Sequence, residues 1–146
     1  MLLFFGWVGV LGSFYLHTNF ITPLYLLPAS AVGFLATGVL NLNNLRDVET
    51  DRNAGKNTLV VRMGRPAAKV YQSVLVLGTL VMQGLFVWVA EIGAWGYLFV
   101  LTAPLIIMNL VKTYNAKQAS DFDPLLKPLA ISTLLFCLLA GIGAVV

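Results

Sequence analysis

The chain has 146 residues, of which 59% are hydrophobic and only 10% charged, with a mean hydropathy of +0.87. Soluble domains are about a quarter charged, and a chain of this size buries only about two-thirds of its surface. A water-soluble globule is therefore excluded, and a net charge of +3 without a soluble basic domain does not mark a nucleic-acid binder.

A membrane-spanning helix needs roughly 20 mostly apolar residues, and five such runs are predicted. They are continuous rather than alternating, which favours helices over barrel strands. The first covers about Leu2 to Leu16. It has no basic lead and no small-residue cleavage site of the signal-peptide kind, so it reads as the start of a piece cut from a longer membrane protein. Gly6, Gly9 and Gly12 share a broad side of it, suited to close helix packing. His17 follows with no Cys, Asp or Glu nearby in sequence, and reads as an interfacial residue rather than a metal ligand.

The second run covers about Pro23 to Leu45 and carries Ala29, Gly33, Thr37 and Asn41 at four-residue spacing. A stripe of small residues lets helices approach closely in lipid. The third covers about Val70 to Ala90, with Gln83 mid-span as a cavity-lining or helix-bonding residue. The fourth covers about Ala94 to Val111, and the fifth about Pro128 to Val146 with the single Cys137 as packing. Pro28 and Pro104 are predicted to kink the second and fourth runs, with neighbouring helices compensating. Trp7, Trp88, Trp95 and Tyr97 lie mostly near run ends, as aromatic belts do.

The connections differ sharply in charge. Arg46, Arg52, Lys56, Arg62, Arg65 and Lys69 occupy one, and Lys112, Lys117 and Lys127 another; the remaining two hold no base. Five helices place both basic connections on one face, which the positive-inside rule makes cytoplasmic. The amino terminus is then inside and the carboxyl terminus outside. The whole chain reads as a single all-α membrane domain.

The stretch NLNNLRDVETDRNAGKNTLVVRMG, residues 41 to 64, carries the chemistry. Asn43, Asp47 and Asp51 recur at four-residue spacing and form a file on one helix face, with Asn44 flanking. No Gly or Pro interrupts the helix until Gly55, which suits a left-handed cap. Two carboxylates one turn apart beside an amide form a hard oxygen-rich surface. Mg²⁺ takes such ligands, one or two carboxylates completed by waters and substrate phosphates. Lys56 and Arg62 are placed to meet outer phosphate oxygens. The same carboxylates also read as a solvated helix end paired with Arg46 and Arg52. Two other motifs fail: GKNT lacks the upstream Gly of a P-loop, which is Thr50 here, and DVETDRNAG lacks the EF-hand order.

The extended pattern NNLRDxxxDxxxGKxTLxVRxG resembles the second aspartate-rich motif of the UbiA superfamily of intramembrane aromatic prenyltransferases. More narrowly, it resembles the branch whose acceptor is 1,4-dihydroxy-2-naphthoate. FFGWVGVLGSFYL before it and WGYLFVLTAPL after it are similar to that branch as well. The resemblance implies a bundle of nine transmembrane helices, of which these residues form the last five. A first motif, NDxxDxxxD, would lie in four preceding helices of the same enzyme. It implies that Asp47 and Asp51 hold Mg²⁺ and through it a polyprenyl diphosphate, with Asn43, Asn44, Lys56 and Arg62 at the substrate. The implied reaction is prenyl transfer with decarboxylation, giving a demethylmenaquinone in the bacterial inner membrane. Another aromatic acceptor, such as 4-hydroxybenzoate, and a non-catalytic membrane protein are the alternatives. Transporters more often set polar ligands near the midplane on broken helices, whereas no acid lies within a run here.

Overall fold

The computed structural model describes all 146 residues and contains no strand. Five helical segments follow in order: α1 (Leu2–Thr18), α2 (Leu26–Asn53), α3 (Leu59–Val89), α4 (Ala94–Asn115) and α5 (Ala119–Val145). All but α1 are long and apolar enough to cross a membrane. With large apolar residues such as Phe4, Leu16, Val74, Trp88, Leu101 and Leu134 exposed, the molecule is an all-α membrane protein.

α1 is wound in wide π-type turns over Leu2–Leu11 before continuing as an α-helix over Gly12–Thr18. Gly6 is its buried residue and packs on Gly33 of α2; a Cβ at Gly6 would stand 2.7 Å from the Ala29 carbonyl oxygen and 2.9 Å from the Gly33 Cα. Of the glycines predicted to line that side, Gly12 has open space, so only the Gly6 end makes the close crossing.

Pro28 and Pro104 lie inside the second and fourth helices, just after 3₁₀ turns pass into α-helix. Pro104 stands at the first turn of the α-helical part of α4, and Pro28 in the first turn of α2. Pro124 and Pro128 lie within the continuous α-helix of α5, while Pro66 of α3 follows a break at Gly64 by two residues.

The charged connection after α2 is shorter than the sequence suggests. Residues 59–69 are helical, and only the segment around 54–58 joins α2 to α3. Thr58 caps α3, accepting a bond from the Val61 N–H at 3.3 Å. Gly64 then breaks the helix at φ 80° and ψ 162°, a backbone state open to glycine and costly for other residues.

Two apolar clusters hold the bundle. One, near the charged end, joins Leu42, Leu45 and Val48 of α2 to Val60 and Ala68 of α3 and to Phe122, Leu125 and Leu129 of α5. The other joins Ala31 and Leu35 to Val76, Phe86, Phe99, Ile106 and Phe136. Buried polar groups lock the register between them. Asn41 donates to the Ala68 carbonyl at 3.0 Å and to Gln72 Oε1 at 2.8 Å. Gln83, for which both a cavity and a helix bond were open, is buried with its Oε1 unpaired.

Candidate diphosphate site

At ~1.5 Å per residue, α2 crosses a hydrocarbon core ~30 Å thick in about 20 residues. Counted from Leu26, that length ends at Leu45, so the charged stretch Arg46 to Asn53 follows one full crossing's length of helix. The helix closes as a Schellman motif. The Lys56 N–H reaches the Asp51 carbonyl at 2.9 Å, the Gly55 N–H reaches the Arg52 carbonyl at 3.1 Å, and Gly55 sits at φ 70°. This turn folds the chain back and brings Lys56 Nζ to Asp51 Oδ1 at 3.0 Å.

The two carboxylates lie in different surroundings. Asp51 is buried at 7% exposure, while Asp47 is half-buried. Arg46 grips Asp47 with two bonds, Nε to Oδ1 at 2.7 Å and Nη2 to Oδ2 at 2.8 Å. That pairing holds the Asp47 carboxyl below the usual carboxylate range. The third arm of the same guanidinium, Nη1, reaches Asp123 of α5 at 3.2 Å. Both carboxylates therefore already face cationic nitrogen, as the solvated-end reading of the sequence anticipated, although Asp51's partner is Lys56 rather than Arg52.

The flanking amides diverge. Asn43 lines an apolar groove of about 330 Å³ with Met1, Phe5, Ala36, Val39, Leu40, Ala130 and Thr133. Asn44 lines a smaller cleft beside Tyr71 of α3. Arg62 is exposed and takes part in none of the ion pairs, so the structure does not bring it to the carboxylates. Arg46 and Asp123 were not among the expected site residues. Arg46 was legible only as a neighbour of Asp47, and nothing in sequence links Asp123 to it across 77 positions.

The basic connections gather at one end of the bundle. Arg65 Nη1 reaches the Lys117 carbonyl at 3.4 Å, and Lys69 Nζ reaches the Tyr114 and Ala116 carbonyls at 2.9 and 2.6 Å. Arg65 Nη2 also lies 3.1 Å from Glu49 of α2. Glu49 is thus engaged elsewhere, and no group of three metal-binding side chains forms. Asp47 and Asp51 offer hard oxygens one turn apart, and two carboxylates fit Mg²⁺ where phosphates and waters complete the shell. The donors here suit one half of such a centre.

The chain was compared with known proteins. The model of the UbiA prenyltransferase family matches residues 1–127. Over 143 residues the chain is 43% identical to the 1,4-dihydroxy-2-naphthoate octaprenyltransferase of Escherichia coli, covering 98% of this chain and 46% of that protein. The Haemophilus influenzae protein of the same name is 39% identical over 100% of this chain and 47% of its own length. The one from Mycobacterium tuberculosis is 31% identical over 92% and 45%. The chain thus spans about half the length of the curated relatives it matches. No solved structure matches it.

Proposed function

The chain belongs to the UbiA prenyltransferase family, and on that premise we propose that it supplies one half of a site moving a polyprenyl group from its diphosphate to 1,4-dihydroxy-2-naphthoate. Diphosphate leaves the prenyl carbon and carbon dioxide leaves the ring, and the product is the hydroquinone, a demethylmenaquinol. The observation that carries the reading is the file Asn43, Asp47 and Asp51, standing where α2 leaves the apolar layer and an apolar groove begins at Asn43. The printed names of the relatives supply the acceptor and the donor class.

Asp47 and Asp51 would hold Mg²⁺, which when bound supplies positive charge to neutralise the departing diphosphate. Arg46 and Lys56 bring N–H donors to the same place, and donors aimed at developing negative charge favour its departure. The groove beside Asn43 gives the isoprenoid tail an apolar path, so the reacting carbon meets the ring at the bilayer boundary while the tail stays out of water. Asn44, beside Tyr71, would border the acceptor side, with Arg62, in the first turn of α3, meeting outer phosphate oxygens only once that turn moves. The carboxylates facing this file would come from the part of the relatives that the chain does not span. The basic end would face the cytoplasm, in a bacterial inner membrane.

The test is an acceptor comparison. Membranes containing this segment together with the preceding half of a relative should prenylate 1,4-dihydroxy-2-naphthoate and leave 4-hydroxybenzoate untouched. Preference for 4-hydroxybenzoate would overturn the acceptor assignment, and turnover of neither would overturn the enzymatic reading.

A further inference from the structure

On the side of α5 that faces α4 lies a second groove, of about 270 Å³, lined by Leu105, Met108 and Lys112 of α4 and by Pro124, Pro128 and Ile131 of α5. The two prolines bring no long side chain to fill the gap. Leu105, Met108 and Ile131 are 42%, 51% and 47% exposed, so the groove is open on its outer side. Its polar members are already satisfied. Asn109 Nδ2 donates to the Leu125 carbonyl at 2.8 Å, and Ser132 Oγ donates to the Pro128 carbonyl at 2.8 Å. What remains is a hydrocarbon trough with a cation at its charged-end rim.

Lys112 takes part in none of the ion pairs. Asp121 shares an adjoining crevice with it, but that carboxylate is committed to capping α5. Its Oδ2 accepts from the Lys117 and Gln118 N–H groups at 2.8 and 3.0 Å, and its Oδ1 lies 3.4 Å from Gln118 Nε2. Asp123, the next acid along, reaches the opposite way to Arg46 of α2.

We propose that the α4–α5 groove is a binding site for an acidic phospholipid, with an acyl chain along Met108 and Ile131 and the headgroup phosphate at Lys112. A basic residue between membrane helices, beside an apolar trough, matches a lipid that carries negative charge above hydrocarbon. A zwitterionic lipid gains the same apolar contact but brings its own cation against Lys112. The site is separate from the Asp47 face and stands whether or not prenyl transfer is the activity.

The test is native mass spectrometry of the full chain in detergent, titrated with phosphatidylglycerol and with phosphatidylcholine of identical acyl chains. The expected result is retention of phosphatidylglycerol over phosphatidylcholine, reduced about fivefold by Lys112→Gln, since one surface base contributes about that factor. Lys117→Gln, outside the groove, should leave the preference unchanged. Met108→Trp, which fills the trough, should lower retention of both lipids. Equal retention of the two lipids, or equal effects of the two lysine variants, would overturn the proposal. Displacement of the bound lipid by inorganic phosphate alone would overturn it too, by making Lys112 a simple anion site.

Discussion

Arg46 and Asp123, 77 positions apart in sequence, meet through a single bond of 3.2 Å that ties the charged end of α2 to the start of α5. The same guanidinium binds both oxygens of Asp47. Asp123 has a side chain 62% exposed, and an ion pair so open to solvent contributes only about 0–1 kcal/mol. Asp123→Asn should therefore change the thermal stability of the chain by no more than about 1 kcal/mol. A larger loss in a thermal melt would mean that the α2–α5 tie carries structural weight the geometry does not give it.

The Gly6 crossing should be far less forgiving. A Cβ there would meet backbone atoms of Ala29 and Gly33, at 2.7 and 2.9 Å, and backbone moves only at a cost. Gly6→Ala is expected to cost about 1–3 kcal/mol and to loosen α1 from α2. Gly12→Ala, with open space around it, should be tolerated. Cysteine cross-linking between α1 and α2 would report the difference, and equal yields in both variants would rule out the tight crossing.

Asn41 is buried at 3% exposure and holds two acceptors of α3. Asn41→Leu strands Gln72 Oε1 and should destabilise the bundle by about 1–3 kcal/mol, the cost of an unpaired buried polar group. Adding Gln72→Leu removes the stranded oxygen and should recover part of that loss. Thermal unfolding of the single and double variants measures the recovery; its absence would show that the α2–α3 register rests on packing alone.

Much of this was legible in sequence. The five apolar runs became the five helices, and the Asn43, Asp47 and Asp51 file, with Gly55 at its end, lies on one helix as the spacing required. The misses have physical causes. Arg62, Arg65 and Lys69 mask the helicity of residues 59–69, because so many bases in a row read as a solvated connection, whereas Arg65 and Lys69 fold onto Glu49 and the carbonyls around the end of α4. Pro28 and Pro104 look like Pro124 and Pro128 in sequence, and nothing local shows that the first two follow a change from 3₁₀ to α-helix. The Arg46–Asp123 bond was invisible because a side-chain pair between α2 and α5 leaves no local pattern.

Acid should loosen the start of α5, outside the apolar run. The Asp121 carboxyl is lowered from its ordinary value of 3.8, chiefly by the Lys117 and Gln118 backbone N–H groups. A group whose folded value is depressed contributes its stability above the unfolded value and loses it as pH falls through the folded one. The cap should hold at neutral pH and weaken below about pH 4, where an unfolded Asp begins to protonate. Hydrogen exchange at the Lys117 and Gln118 amides should quicken there, and Asp121→Ala, which has no acceptor, should show the fast exchange at neutral pH already. Exchange rates in the variant equal to those of the parent would remove Asp121 from the cap.

Prenyl transfer after Asp47→Asn, in a polypeptide joining this segment to the preceding half of a relative, tests the central claim most directly. The substitution keeps the size and one acceptor oxygen but removes the charge that a divalent cation needs. The account predicts that turnover falls by about 10²–10³-fold, the usual cost of losing a group that stabilises developing charge, while membrane insertion is unchanged. Turnover within twofold of the parent would contradict it.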